Sequence, residues 1–255
     1  FGDDKDRVLI KSDGEYTYFA SDIAYHLYKY RRGFDWLINL WGPDHHGYIN
    51  RLKAAIQAMN RDTRSLSIII VQLVTLLKNG KVLPMSTRKA SYITLKELLG
   101  EVGKDAARFF FIMRRTESHL DFDLDLAKAQ LPQNPVYYIQ YAHARICSIL
   151  FKTKERLNIR KVNYQLLKEK EEIQLIKTII EFRYYLDVVF KTVDPYILTV
   201  YLQKLATDFH KFYECHRILV EDKNLRHARL SLVKATFIVL RKGLEILGLS
   251  MPERM

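Results

Sequence analysis

The chain has 255 residues, 48% of them hydrophobic, which is enough to form one large domain or two smaller ones. The net charge of +12 favours a polyanionic partner over an acidic one, because lysine and arginine neutralise phosphates. The two cysteines, Cys147 and Cys215, form neither a disulfide framework nor a metal motif, which suits a protein of the reducing cytoplasm. The longest apolar run, 66–77, is too short to span a bilayer.

The first 76 residues alternate between strand and helix patterns. The chain begins with Phe1 rather than Met, and its opening resembles the middle of a domain, so we expect that a preceding segment is missing. Strands and helices alternate along the chain, and the strongest strands are apolar throughout. This pattern predicts a parallel sheet covered by helices. Strands are predicted at 8–10, 16–19, 36–41 and 67–76, and helices at 22–30, capped by Ser21 or Asp22, and at 48–59.

Two groups of polar residues lie at the ends of these elements. Tyr18 and Asp22 are four residues apart and can hold a cationic group, since a carboxylate pairs with a guanidinium through two hydrogen bonds. The alternative is that Asp22 only caps the helix. Gly42, Asp44 and the histidine pair that follows come directly after a predicted strand, where ligands gather in α/β sheets.

The histidine pair is His45-His46. These side chains can donate to phosphate or ribose, and Asp44 can accept from ribose hydroxyls. A helix-capping turn is the structural alternative, and a metal-dependent phosphoesterase using the same three residues is a functional one.

A loop rich in small hydroxyl and basic residues follows the third strand. Residues 82–91 include Met85, Ser86, Arg88 and Lys89, which can surround a polyphosphate, although the glycine spacing of a P-loop is absent. Helices are predicted at 94–100 and 103–115. The alternation of Asp121, Asp123 and Asp125 with apolar residues over 119–126 predicts a strand with its acids facing solvent rather than a metal site.

The second half of the chain is predicted to be a helical bundle. Pro132 and Pro135 mark its beginning, and helical periodicity dominates from there to the end. Residues 1–128 carry 20 basic and 16 acidic side chains, a net charge of +4, whereas residues 129–255 carry 21 and 13, a net charge of +8. The bundle is therefore the better candidate for a nucleic-acid surface. Its helices are predicted at 136–157, 164–192, 195–219 and 225–247.

One stretch of the bundle combines rings with a positive charge. Helical spacing places Tyr138, Tyr141 and Arg145 on one face, which offers flat rings for base stacking and a guanidinium for phosphate. An amphipathic core helix with an arginine that reaches solvent is the structural alternative. Tyr213 shares a face with other aromatic residues of a later helix, and Met255 is expected to be held against the bundle.

Taken together, these segments resemble the C-terminal part of the class I arginyl-tRNA synthetases of the bacterial type, over nearly all of 1–255. The resemblance implies a partial Rossmann-like α/β catalytic core with a parallel sheet in 1–130 and an all-α helical anticodon-binding domain in 131–255. The motifs that carry it are Ser12-Asp13-Gly14, Asp22-Ile23-Ala24-Tyr25, Trp41-Gly42-Pro43-Asp44-His45-His46-Gly47-Tyr48, 101–110, 119–126 and 134–145.

The resemblance also implies an activity and its partners. L-Arginine would be activated with ATP, which carries Mg²⁺, and transferred to the 3′ end of tRNA(Arg), with release of AMP and pyrophosphate. We expect no protein-bound metal, no membrane partner, a monomer and a cytoplasmic location. The alternative is a non-catalytic tRNA-binding protein derived from a synthetase.

The implied site residues follow by matching positions. Tyr18 and Asp22 would bind arginine, with Asp22 opposite the guanidinium, and Tyr138, Tyr213 and Met255 would contact the anticodon. Tyr141 and Arg145 join the predicted anticodon residues because helical spacing places them on the same face as Tyr138. Gly42, Asp44 and His45 would line the ATP site, with Val71 and Gln72 near the adenine. His46 joins this set because a histidine next to His45 can also donate to phosphate or ribose.

Two departures from the family pattern concern catalysis. The His-Ile-Gly-His-type signature is absent from this sequence. Pro84-Met85-Ser86-Thr87 stands where the family has Lys-Met-Ser-Lys, so both lysines are missing, and Arg88 and Lys89 are the expected substitutes. This chain alone is therefore expected to be inactive.

Overall fold

The computed structural model describes residues 3–84, 93–153 and 157–255. The chain divides into two compact units. The first unit consists of Phe1–Val74 with Thr116–Leu120, and the second consists of Thr75–Arg115 with Asp121–Met255.

The first unit is a small α/β assembly. Its elements are α1 (Tyr18–Arg31), β1 (Leu37–Trp41), α2 (Ile49–Ala58) and β2 (Leu66–Ile70), with a 3₁₀ turn at Pro43–Tyr48 before α2. Strands β1 and β2 pair in parallel, and the α2 crossover provides the length that a parallel pair needs. The register sets Leu37 opposite Leu66 and Trp41 opposite Ile70.

The core of the first unit lies where α1 and α2 cover one face of this strand pair. Its buried members are large apolar side chains, so the hydrophobic effect fixes the helices against the sheet. They are Tyr30, Leu37, Leu52, Ile56 and Leu66, with Trp41, Tyr48, Met59 and Ile68 packed against them.

The predicted strand at 16–19 is wrong, because α1 begins at Tyr18. The Thr17 side chain accepts a hydrogen bond from the Ala20 N–H and caps the helix. Of the first two predicted strands, only one isolated antiparallel bridge forms in the described residues, between Ile10 and Tyr16.

The predicted strand at 67–76 is also wrong as a single element. It contains the end of β2 and the start of a separate strand, β3 (Val74–Lys78), which pairs with β4 (Lys81–Val82) in an antiparallel hairpin. Asn79 and Gly80 both have positive φ, as a tight two-residue hairpin turn requires. Between β2 and β3, the Gln72 N–H donates to the carbonyl of Thr116. The chain therefore no longer pairs with β1 at this residue.

The second unit opens with short helices and completes the hairpin sheet. Helices α3 (Leu95–Val102) and α4 (Lys104–Ile112) match the predictions, and β5 (Leu120–Asp123) joins the sheet in the order β4-β3-β5. The predicted strand over 119–126 is wrong beyond Asp123, where α5 (Leu124–Lys128) begins. The Asp123 carboxylate accepts from the first free N–H groups of α5, so the alternation ends in a helix cap.

The remainder of the second unit is the predicted helical bundle. It comprises α6 (Pro135–Lys152), α7 (Lys170–Thr192), α8 (Tyr196–Cys215) and α9 (Lys223–Ile246). Asn134 caps α6, with Pro135 at its first position, and Asp222 caps α9. The fully buried side chains of the bundle include Ile139, Ile146, Leu175, Tyr201, Leu205, Phe209, Phe212 and Leu240.

A buried ion pair joins α7 to α9 within the bundle. Arg229 Nε donates to Glu172 Oε1 at 2.7 Å, and Arg229 Nη1 donates to the Arg217 carbonyl at 2.8 Å. Glu172 is fully buried, and Arg229 is 8% exposed. Removal of one partner would leave the other charge without compensation in the interior.

We therefore predict that Arg229→Met lowers the free energy of unfolding by about 3–5 kcal/mol. Lys242→Met is the matched control, because it removes the exposed ion pair with Glu245 on the same helix and should cost less than about 1 kcal/mol. Urea unfolding followed by circular dichroism measures both. Equal losses for the two variants would contradict the prediction.

Candidate functional site

The first unit contains a pocket of about 680 Å³ formed by α1, β1 and the 3₁₀ turn. Tyr18, Asp22 and His45 all line it, so the structure brings together the two residues predicted to bind arginine and one of those predicted to bind ATP. Tyr18 is 92% exposed, whereas Asp22 is half-buried. Because Thr17 caps α1, the alternative in which Asp22 serves only as the helix cap is wrong.

Asp22 is held by a tyrosine that the sequence analysis did not select. The Tyr48 hydroxyl donates to Asp22 Oδ2 at 3.0 Å. The Tyr48 ring is itself fixed by edge-to-face contacts with Phe19 and Trp41, each with 5.7 Å between ring centroids. Burial, followed by the hydrogen bond to Asp22, raises the pKa of Tyr48 to about 12. Tyr48 therefore remains a protonated donor at neutral pH.

Two buried polar side chains support the same part of α1. The His26 ring donates from Nδ1 to the Asp22 carbonyl at 2.7 Å, and Asn39 Nδ2 on β1 donates to His26 Nε2 at 2.9 Å. This chain of hydrogen bonds ties the helix turn that carries Asp22 to the strand beside it. Both nitrogens of His26 are engaged, so its tautomer is set by its partners.

Lys29 also lines the pocket. Burial lowers the pKa of Lys29, against the opposing effect of Asp22, and its Nζ lies 4.4 Å from the centroid of the Tyr25 ring. The pocket thus holds one oriented carboxylate and one partly desolvated ammonium, an arrangement suited to a ligand with both a cationic and an anionic group.

The residues predicted to bind ATP lie at the carboxyl ends of β1 and β2. Because these strands are parallel and in register, residues 42–46 after β1 and residues 71–72 after β2 emerge at the same edge of the sheet. The Val71 N–H donates to the Trp41 carbonyl at 2.7 Å. His45 lines the pocket with Asp22, while Gly42, Asp44 and His46 are exposed on the adjoining turn.

Most of the predicted phosphate-binding loop, 82–91, lies outside the described residues. Met85, Ser86, Arg88 and Lys89 lie outside the described residues, so their catalytic role stays a prediction. Within 3–84, 93–153 and 157–255, no group of three or more His, Cys, Asp or Glu side chains is arranged to hold a metal ion. The phosphoesterase hypothesis therefore has no ligand set in that part of the chain.

The second unit contains a cavity of about 860 Å³ between α6, the end of α8 and the last residues of the chain. Tyr141, Arg145, Tyr213 and Met255, four of the five residues predicted to bind the anticodon, line it. We call this cavity the bundle pocket. Its other charged lining residues are three cations, Lys152, Arg217 and Arg254, and one acid, Glu214.

Arg145 is the cation of the bundle pocket that lies between two of its tyrosine rings. Its Cζ atom lies 4.5 Å from the ring centroid of Tyr141 and 4.5 Å from that of Tyr213. Arg145 Nη2 also donates to the Tyr141 hydroxyl at 2.8 Å. A guanidinium beside the half-buried ring of Tyr141 and the exposed ring of Tyr213 can stack a nucleotide base and bind its polar edge.

Tyr138, the fifth residue, does not line the bundle pocket. Its half-buried ring packs on His210, with 4.5 Å between the ring centroids. His210 in turn contacts both Tyr141 and Arg145. Tyr138 therefore lies one helical turn from the pocket, behind the residues that form it.

The C-terminal segment is held in place by contacts that span more than 100 residues. The Ser250 N–H and hydroxyl both donate to the Asp105 carboxylate, and Gln140 Nε2 donates to Asp105 at 2.7 Å and to the Ser250 carbonyl at 3.1 Å. His143 donates from Nδ1 to the Pro252 carbonyl at 2.9 Å. These bonds bring Met255 to the bundle pocket, as the sequence led us to expect, although nothing in the sequence identified Asp105.

Two family models match this chain. The model for the catalytic domain of "tRNA synthetases class I (R)" matches residues 1–152, and the "DALR anticodon binding domain" model matches residues 139–255. The chain belongs to the arginyl-tRNA synthetase family. The fold class predicted from the sequence is confirmed, with a small parallel sheet and helices followed by a helical domain.

Curated members of the arginyl-tRNA synthetase family align over the whole chain. It is 51% identical to the arginine–tRNA ligase of Geobacter sp. strain M21, with 47% of that protein covered, and 48% identical to the ligase of Nitrosomonas eutropha, with 44% covered. The chain therefore spans about half the length of the curated relatives it matches.

Solved structures agree with the family assignment. A Campylobacter jejuni protein solved as a candidate arginyl tRNA synthetase superimposes with a TM-score of 0.89 at 34% identity, covering 100% of this chain and 56% of that one. The arginyl-tRNA synthetase of Thermus thermophilus gives a TM-score of 0.75 at 21% identity, covering 98% of this chain and 51% of that one, which shows a shared fold. None of the helices in the described residues combines the length and apolar character that crossing a bilayer requires.

The burial of His210 should make the stability of the bundle depend on pH. Burial lowers the pKa of His210 below its ordinary value of 6.5; the Tyr138 carbonyl and Glu214 oppose this shift, and Arg145 reinforces it. The folded chain thus favours neutral His210. Its contribution to stability is complete above pH 6.5 and is lost as the pH falls from 6.5 through the lowered pKa.

We therefore expect the difference in melting temperature between the wild type and His210→Phe to shrink as the pH falls from about 7.5 to about 5. Differential scanning calorimetry on both proteins measures it. A difference that stays constant over this range would show that His210 does not titrate as its surroundings require.

Proposed function

We propose that the protein containing this chain is an arginine–tRNA ligase. It activates L-arginine with ATP, whose phosphates carry Mg²⁺, and transfers the arginyl group to tRNA(Arg). The observation that carries this proposal is the oriented carboxylate of Asp22 in a half-buried pocket beside the carboxyl ends of β1 and β2. In this family fold, that edge of the sheet is where a nucleotide and a small substrate meet.

Asp22 would bind the guanidinium of the substrate. A carboxylate accepts two parallel N–H bonds from a planar guanidinium, and Tyr48 limits rotation of the carboxylate before arginine arrives. Lysine would be rejected, because a single ammonium cannot make the paired bonds for which the site is shaped. Tyr18, at the start of α1, would cover the aliphatic part of the substrate.

The chemistry then proceeds in two steps. The arginine carboxylate attacks the α-phosphorus of ATP, which expels pyrophosphate and forms arginyl-adenylate. The terminal 2′-hydroxyl of tRNA then attacks the carbonyl carbon of the adenylate, which releases AMP. Positioning dominates such a reaction, and residues 42–46 with 71–72 would hold the adenosine. Met85, Ser86, Arg88 and Lys89 would contact the phosphates.

The bundle pocket would bind the anticodon of tRNA(Arg). Tyr213 is 39% exposed and Met255 is 49% exposed, so both offer apolar surface to an unstacked base. Arg145 would bind the polar edge of that base, and the net charge of +8 over residues 129–255 would attract the RNA backbone. Tyr138 would act on the anticodon site indirectly, because its ring packs on His210, which contacts Tyr141 and Arg145. We also propose that the protein works as a monomer in the cytoplasm.

The test is aminoacylation by the full-length gene product with tRNA(Arg), ATP and radiolabelled arginine or lysine. We expect transfer of arginine to the RNA and no transfer of lysine. Binding of tRNA(Arg) without transfer of either amino acid would instead support the non-catalytic tRNA-binding protein.

Two substitutions test the arginine pocket in that protein. Asp22→Ala should raise the KM for arginine by the equivalent of about 3–5 kcal/mol, since the guanidinium enclosed in the pocket would lose the carboxylate that pairs with it. Tyr48→Phe should raise it by about 1.5–3 kcal/mol, because one hydrogen bond to a charged group is lost. Tyr28→Phe is the control, as this tyrosine lies on α1 outside the pocket. An unchanged KM for Asp22→Ala would remove Asp22 from the site.

A further substitution tests the bundle pocket. Tyr213→Ala should weaken the binding of tRNA(Arg) by about 1–3 kcal/mol through the loss of base stacking. Tyr184→Ala, at an exposed position on α7, is the matched control and should leave the affinity unchanged. Fluorescence anisotropy with labelled tRNA measures both Kd values. A fall in thermal stability without a change in Kd would mean that Tyr213 only packs the bundle.

A further inference from the structure

His210 lies behind the bundle pocket and does not line it. It is on α8 and is 4% exposed. Its ring packs against Tyr138, with 4.5 Å between centroids, and against Tyr141, with 5.8 Å between centroids. A buried polar ring in this position needs hydrogen-bond partners, and their identity shows what the ring can do.

Both nitrogens of His210 are engaged. Nδ1 is 3.2 Å from Arg145 Nη1, and Nε2 is 3.3 Å from the Tyr138 carbonyl oxygen. A guanidinium only donates and a carbonyl only accepts, so Nδ1 must be the acceptor and Nε2 must carry the proton. His210 is therefore neutral here and is the side chain on α8 that accepts a hydrogen bond from Arg145.

The hydrogen bond from Arg145 to His210 helps to fix the orientation of the Arg145 guanidinium. Arg145 donates to His210 through Nη1 and to the Tyr141 hydroxyl through Nη2, while the Tyr141 and Tyr213 rings lie 4.5 Å from its Cζ. A long side chain that is ordered before its ligand arrives loses less conformational entropy on binding. Without His210, one of the two hydrogen bonds that orient Arg145 would be lost.

We propose that His210 is a positioning residue for RNA recognition, which holds the Arg145 guanidinium between Tyr141 and Tyr213 in the bundle pocket. This inference rests on the proposed binding of tRNA by that pocket. It predicts that His210 affects tRNA affinity through Arg145 and not through the general stability of α8. The burial that lowers the pKa of His210 keeps its Nδ1 available as an acceptor at neutral pH.

A double-mutant cycle on the full chain tests the inference. The variants are His210→Phe, which keeps a ring but removes the acceptor, Arg145→Met, and the two combined. The Kd for an unmodified tRNA(Arg) transcript is measured by fluorescence anisotropy. We expect each single variant to raise Kd about tenfold and the double variant to match Arg145→Met within about twofold, because residues that act through one another are not additive.

Two further variants separate positioning from folding. His210→Asn places an amide oxygen near the position of Nδ1 and should restore Kd to within about threefold of wild type. Leu205→Ala removes a fully buried side chain from the same helix and should lower the melting temperature without a comparable change in Kd. If His210→Phe does not fold, a Kd for His210→Asn as weak as that of Arg145→Met overturns the inference.

The outcomes distinguish this inference from the proposed function beneath it. If Arg145→Met leaves Kd unchanged, the bundle pocket does not bind tRNA and the proposed function of the pocket fails. If Arg145→Met weakens binding but His210→Phe does not, or if their effects multiply in the double variant, only the positioning role of His210 is overturned. A Kd for Leu205→Ala as weak as that of His210→Phe would likewise assign His210 a purely structural role.

Discussion

Both candidate sites depend on the same interaction, in which tyrosines fix the orientation of a charged side chain. In the first unit, the Tyr48 hydroxyl donates to the Asp22 carboxylate. In the second unit, Arg145 lies against the rings of Tyr141 and Tyr213 and donates to the Tyr141 hydroxyl. Tyrosine combines a rigid apolar ring with a hydrogen-bonding group, so it can orient a charge without neutralising it. Each charged group therefore has a fixed orientation, and its charge remains available to a ligand.

The bundle pocket also depends on a contact that closes the chain upon itself. Asp105 accepts hydrogen bonds from Gln140 and Ser250, which fixes the C-terminal segment against α4 and α6 and places Met255 in the pocket. Asp105 falls within the match to the catalytic-domain model, whereas Ser250 falls within the match to the anticodon-binding model. Residues from both family matches therefore contribute to the second unit, and the bundle pocket depends on α4 as well as on the bundle helices.

The sequence predicted the helical bundle and the β1–β2 pair well, because each depends on local apolar periodicity and on caps such as Asn134 and Asp222. It failed where a tertiary contact overrides a continuous apolar run. The apolar run over 67–76 divides at Gln72, whose N–H donates to the Thr116 carbonyl. The turn at Asn79 then allows β3 to pair with β4 in a second sheet. Tyr48 and His210 were missed as supporting residues, since their partners lie 26 and 65 residues away and no spacing rule connects them. The chemistry of Asp22 could be inferred from its sequence context, but its substrate came from the family resemblance.

The central claim is that the bundle pocket binds a base of the anticodon. A crystal structure of this chain with an anticodon stem-loop of tRNA(Arg) tests it most directly. We expect one unstacked base inside the pocket, with its ring on Tyr213 and its polar edge on Arg145, and with His210 still bonded to that guanidinium. An RNA loop bound elsewhere on the bundle, with Arg145 and Tyr213 untouched, would contradict it.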